Sequence, residues 1–146
     1  MVTPRTEAVS LPGGRGEKLG CATLDSTSVA ALFGVTSADG APLSESRRIV
    51  AVYATRMVNT GMVTERGGAM LRELGEAPSL MRTGRFSFTL KTPHAARMKC
   101  WALRLDGRRL RELPLQTTAD GVALTLDTAD LPEGPTPFFE LAADPQ

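Results

Sequence analysis

Three Asp-Gly pairs, Asp39-Gly40, Asp106-Gly107 and Asp120-Gly121, stand between short apolar runs in this chain. Asp-Gly accepts the positive φ that tight hairpin turns demand, so the pairs mark places where strands double back. With 14 glycines and 10 prolines among 146 residues, the chain holds many turns and little room for long helices. The runs between the turns have strand character. Phe86, Phe88 and Leu90 alternate with Ser87 and Thr89, the pattern of a half-buried strand. Ile49, Val50, Val52 and Tyr53 form a continuous apolar run within Arg47 to Met57, as in a central strand.

Further strands are predicted over Lys18 to Leu24, Val29 to Val35, Arg108 to Leu115, Val122 to Leu126 and Thr136 to Leu141. Met98, Cys100 and Ala102 share one face, while Leu103 and Leu105 share the other, so near Ala102 the sequence suggests either a bulge or a strand buried on both sides. Asn59-Thr60-Gly61 reads as a break. The stretch Gly67 to Gly75 is ambiguous: Met70, Leu71 and Leu74 fit one helical face with Gly75 as a stop, but the segment is short for a helix. Eight or nine short strands predict an all-β chain folded as an antiparallel β-sandwich, with a closed β-barrel as the alternative. Residues 1–16, with Pro4, Pro12 and Gly13-Gly14-Arg15-Gly16, read as an irregular lead-in, and residues 17–146 as a single domain.

Charge narrows the function classes. The formal net charge is +1, which argues against a nucleic-acid binder working through a basic excess. No apolar run approaches the roughly 20 residues of a membrane-spanning helix, and Met1 to Arg15 lacks the apolar core of a signal peptide. A site built on imidazoles would depend on His94 alone, which sits in an interstrand loop. Cys21 and Cys100 match no metal frame with it, and no metal or cofactor is expected. The two cysteines either bridge the sheets or stay as buried thiols. Gly13-Gly-Arg-Gly-Glu-Lys18 lacks the ending, the preceding strand and the following helix of a phosphate loop. No G-x-S-x-G elbow is present, and the 16 acids cannot be paired by spacing.

Arginine dominates the bases, 14 against 3 lysines, with clusters at Arg47-Arg48 and Arg108-Arg109-Leu110-Arg111. Its forks suit carboxylate and phosphate, and on strands they also serve as solvated edges. For stacking on sugar rings the chain offers Trp101 and Tyr53, both within apolar strands that would bury them.

Several phrases together resemble a known family. Thr36-Ser-Ala-Asp39-Gly40-Ala-Pro42-Leu43-Ser-Glu-Ser46-Arg47-Arg48-Ile49-Val50 is followed by Arg56-Met-Val-Asn59-Thr60-Gly61-Met62, then by Gly75-Glu-Ala-Pro78-Ser-Leu80 and Leu103-Arg-Leu-Asp106-Gly107-Arg-Arg-Leu-Arg-Glu-Leu113-Pro114. These look like the C-terminal β-sandwich domains of large bacterial glycoside hydrolases, and the likeness runs from about Thr3 to Leu141. There the sandwich follows a (β/α)8 barrel that carries the catalytic glutamates. The resemblance implies a non-catalytic accessory domain in a secreted or periplasmic enzyme, with the catalytic (β/α)8 domain as its partner. Arg56, Asn59 and Gly61 are then the candidate interface motif. A carbohydrate-binding module holding an oligosaccharide at Trp101 or Tyr53 is the alternative. The sequence departs from the family in a hairpin one residue tighter at Asp106-Gly107 and in Pro137-Phe138-Phe139, which replaces the usual Tyr-bearing end strand.

Overall fold

The computed structural model describes residues 1–143, so the last three residues of the expected 17–146 domain lie outside the described residues. The strands are β1 (Thr6–Leu11), β2 (Glu17–Lys18), β3 (Ala22–Thr27), β4 (Ala31–Ser37), β5 (Arg48–Ala54), β6 (Met57–Thr60), β7 (Val63–Glu65) and β8 (Met70–Glu73). They continue as β9 (Glu76–Met81), β10 (Arg85–Lys91), β11 (Met98–Leu103), β12 (Arg109–Leu113), β13 (Gln116–Thr117), β14 (Gly121–Asp127) and β15 (Phe138–Ala143). One sheet has the order β1-β4-β5-β15-β11-β12 and the other β13-β14-β10-β3-β2. All pairings are antiparallel and neither sheet closes on itself, so the chain is an all-β sandwich and not a barrel.

The core lies between the sheets. Phe33, Ile49, Tyr53, Phe139 and Leu141 of the first face Leu24, Phe86, Phe88, Leu90 and Leu124 of the second. The rings of Tyr53 and Phe86 stack at 4.0 Å, and Phe33 lies 5.3 Å from Phe88. Alternation explains why these residues meet: in β10 Phe86, Phe88 and Leu90 point inward while Ser87 and Thr89 do not. Of the two alternatives near Ala102 the bulge is present, as a register shift between Ala102 and Leu103 against β12.

Two expectations need correction and one ambiguity is resolved. The lead-in is not irregular throughout, because β1 pairs with β4 along its whole length. Its inward position Glu7 disguised it, since a strand that buries a carboxylate reads as polar. Glu7 is 2% exposed and accepts backbone N–H groups from Gly20, Cys21 and Ala22 at 3.0, 2.7 and 2.9 Å. That meets the need of a buried charge for partners. Second, the ambiguity at Gly67 to Gly75 resolves against a helix for Met70, Leu71 and Leu74; β7 and β8 form a hairpin there, and Gly67, Gly68 and Gly75 take positive φ. Helical spacing builds a helix only where its apolar face is covered, and all three residues are exposed. Third, the strand expected over Arg47 to Met57 ends earlier, at Ala54, while Asn59 and Thr60, read as its break, belong to the separate strand β6, with the turn at Gly61, φ of 73°.

The segment between β5 and β10 leaves the sandwich. Strands β6 and β9 pair only with each other, as do β7 and β8, so residues 57–81 make a two-stranded arm. No residue from 54 to 83 is buried.

Candidate functional site

The two sheets differ in what they turn to solvent. On the five-stranded sheet the outward rows are Thr23, Thr89 and Ala123, then Ser26, Ser87 and Thr125. This is an ordinary polar sheet surface. On the six-stranded sheet Phe138, Val52, Gly34 and Ala8 make one row, with Leu32 and Ala54 beside it. Ala8, Leu32, Gly34, Val50 and Val52 frame a shallow apolar depression of about 160 Å³. Gly34 keeps it open, because a Cβ there would come within 3.2 Å of the Ala8 Cβ.

Next to this apolar row runs Trp101, opposite Glu140, which in turn is opposite Val50. Trp101 is half-buried, and the Arg109 guanidinium lies 3.7 Å from its ring centre. Arg109 reaches from the edge strand β12 across Trp101 to Glu140, donating Nε–H to Oε2 at 2.6 Å. From the other side Arg48 donates Nε–H to Oε1, also at 2.6 Å. Glu140 is 4% exposed. Burial pushes its carboxyl up, but the hydrogen bonds from Arg109 and Arg48 outweigh that and hold it below the usual carboxylate range. It is therefore ionised at neutral pH, and the triad carries one net positive charge.

Of the two candidate stacking platforms, Tyr53 is ruled out. It is 0% exposed, packed on Phe86, and its hydroxyl shares a hydrogen bond with Thr27 at 2.8 Å. Its inward position in the central strand β5 leaves no ring face for a ligand. Trp101 does face outward, but Arg109 covers its ring.

The interface motif falls in the arm. Asn59 Nδ2 donates to the Leu74 carbonyl, and the Ser79 hydroxyl donates to Asn59 Oδ1. The Thr60 hydroxyl donates to the Pro78 carbonyl. Thus the two phrases Asn59-Thr-Gly-Met and Gly75-Glu-Ala-Pro-Ser, distant in sequence, bind each other across β6 and β9. Gly75 has φ of 73°, and a Cβ there would run into the Thr60 carbonyl. Asn59 and Gly61 therefore shape the arm. Arg56 is exposed, and among the described residues no ion pair holds its guanidinium.

The long phrase at 36–50 also has a physical basis. Asp39 accepts from the Ser37 and Ser46 hydroxyls at 2.9 Å each and from the backbone N–H groups of Ala41, Arg47 and Arg48. Burial would raise the Asp39 carboxyl, yet these bonds hold it far below its ordinary value. Leu43 plugs the core at 1% exposure and Gly40 takes φ of 81°. The phrase is a clamp on the β4–β5 connection.

The remaining chemistry-bearing residues are placed structurally. His94 Nε2 meets the Glu45 carbonyl at 3.1 Å, which ties two loops together. Both cysteines are free thiols. Burial, with Glu140 nearby, pushes the Cys100 thiol up to about 12. Cys21 is raised by burial and by Glu7, so neither thiol is an activated nucleophile. Among the described residues no group of three or more His, Cys, Asp or Glu side chains is placed to hold a metal ion.

Sequence reasoning missed Glu140 and its two arginines as a unit. The signal was faint: a lone acid in the apolar run Phe138-Phe-Glu-Leu-Ala, which is an outward position on a central strand. No family model, no curated protein and no solved structure matches this chain.

Proposed function

We propose that this chain is a non-catalytic accessory β-sandwich that packs on the catalytic barrel of a bacterial glycoside hydrolase and stabilises or positions it. The observation that carries the reading is the arm. Met57, Val63, Met70, Leu71, Leu74 and Leu80 are each between 43% and 66% exposed, and no residue of residues 57–81 is buried. Four of the six methionines lie here, at 57, 62, 70 and 81. A lone two-stranded ribbon is marginal in water. Exposed apolar surface rich in adaptable methionine is characteristic of surfaces that meet another protein. The arm is also where the resemblance phrases at 56–62 and 75–80 pair, next to the exposed Arg56.

The purified chain is expected to turn over no member of a panel of aryl glycosides. Added in trans to a barrel domain encoded beside it, the chain is expected to raise the barrel's Tm, and Leu74→Ser with Leu80→Ser is expected to abolish that rise. Glycoside turnover by the chain alone, abolished by a single carboxylate substitution, would overturn the reading.

A further inference from the structure

We infer that Arg48 and Arg109, fixed on the two oxygens of Glu140 beside Trp101, form a binding site for the carboxylate or sulfate ester of an acidic saccharide. The inference rests on the reading that the chain works beside glycan chemistry, but not on where a barrel docks.

Glu140 takes only the Nε–H of each arginine, and among the described residues no Nη group of either makes a hydrogen bond. A guanidinium has five N–H donors, and its planar fork matches carboxylate and sulfate oxygens. Four Nη groups are thus left for a ligand. Both heads are ordered in advance. Glu140 is almost fully buried on the central strand β15, Arg109 rests on the Trp101 ring, and the Arg48 backbone is held by Asp39. Such ordering lowers the entropy a ligand must overcome.

The surroundings favour a saccharide. Trp101 and Glu140 lie on the outer face of the six-stranded sheet, and the Arg48 and Arg109 side chains above them are 62% and 47% exposed, so the site is an open sheet face and suits a chain laid across it. The neighbouring Val50, Val52 and Phe138 offer apolar contact for sugar C–H faces, and the forks offer the charge. A neutral sugar would find the Trp101 ring already covered. An acidic one gains the forks without uncovering it.

Trp101 is the only tryptophan and lies under one of the two arginines, so its emission reports on the site. The whole chain is titrated at constant ionic strength with polygalacturonate, dextran sulfate, neutral dextran and poly-glutamate, and binding is checked by affinity electrophoresis. Polygalacturonate or dextran sulfate is expected to give a saturable shift, and dextran none. Arg48→Gln and Arg109→Gln are expected to weaken binding at least tenfold, with Arg15→Gln unchanged and each variant's fold checked by its Tm. Glu140→Gln removes a negative charge yet is expected to weaken binding, because the guanidiniums lose their anchor. Tighter binding by Glu140→Gln would replace a built site with plain charge attraction and overturn the inference. Silence towards both acidic polymers would overturn it too, as would equal affinity for poly-glutamate. Each of these results leaves the effect of the arm on a barrel's Tm intact, so the two readings fail separately.

Discussion

Phe86 in β10 and Leu74 in the arm are both large apolar side chains, yet one is 1% exposed and the other 66%. Phe86 is held by rings on two sides, Tyr53 at 4.0 Å and Phe139 at 5.5 Å. Leu74 contributes its carbonyl to Asn59 and leaves its side chain in water. The body of the sandwich is thus kept by burial, and the arm by local hydrogen bonds and the Glu65–Arg72 ion pair at 2.8 Å. Regions with few buried contacts open at a small fraction of the global free energy. The arm therefore gains more than the body does from a partner that covers it.

Substitutions should respond to this division, and the largest effect belongs to the body. Phe86→Ala is expected to cost about 3–5 kcal/mol in urea denaturation, the range for emptying a buried aromatic site. A cost under roughly 1 kcal/mol would mean the core is less tightly packed than its ring contacts imply. Glu7→Ala comes next. It strands the N–H groups of Gly20, Cys21 and Ala22 at the corner joining the sheets, for an expected loss of roughly 2–3 kcal/mol.

Asp39→Asn is expected to cost about 1–2 kcal/mol at neutral pH, since an amide cannot accept at both atoms. The sign of its pH dependence follows from a carboxyl held lower in the folded chain than its ordinary 3.8. The Asp39 contribution is full above that pH, declines below it, and vanishes once the pH drops under the folded value. Chemical denaturation curves of the parent and variant should therefore converge in acid. A gap that persists there would mean the clamp does not act through the charge. The smallest effect belongs to the arm: Asn59→Ala should leave the global Tm nearly unchanged while hydrogen exchange at residues 59–79 speeds up. A global loss as large as that of Glu7→Ala would show the arm to be integral to the body.

Much of the body was legible because alternation records burial directly. Phe86, Phe88 and Leu90 announce their strand, and the switch of apolar face near Ala102 left a bulge as one of two readings, which the register against β12 decides. β1 was hidden because Glu7 satisfies its charge with N–H groups of a distant corner, and no local pattern encodes a partner 13 to 15 residues away. The arm stayed ambiguous at 67–75 because Met70, Leu71 and Leu74 suggest a helical face, while positive-φ glycines and the exposure of all three side chains go with a hairpin. Of the surface residues, Trp101 stood out by type and Arg56 by the resemblance phrase it opens, but only register places Trp101 opposite Glu140.

By itself the sequence determined an all-β chain, because Asp-Gly turns and period-two runs are local and need no partner to be expressed. It also determined a turn at Asp39-Gly40, since a demand for positive φ is local, while the bond of Ser46 to Asp39 came with the structure. Only the tertiary structure decided that Tyr53 is core and Trp101 is surface, for both sit in apolar strands and differ in which face looks outward. It alone brought Arg48, Arg109 and Glu140 together from three strands, because ion pairing across a sheet depends on strand order, which no stretch of residues carries within itself.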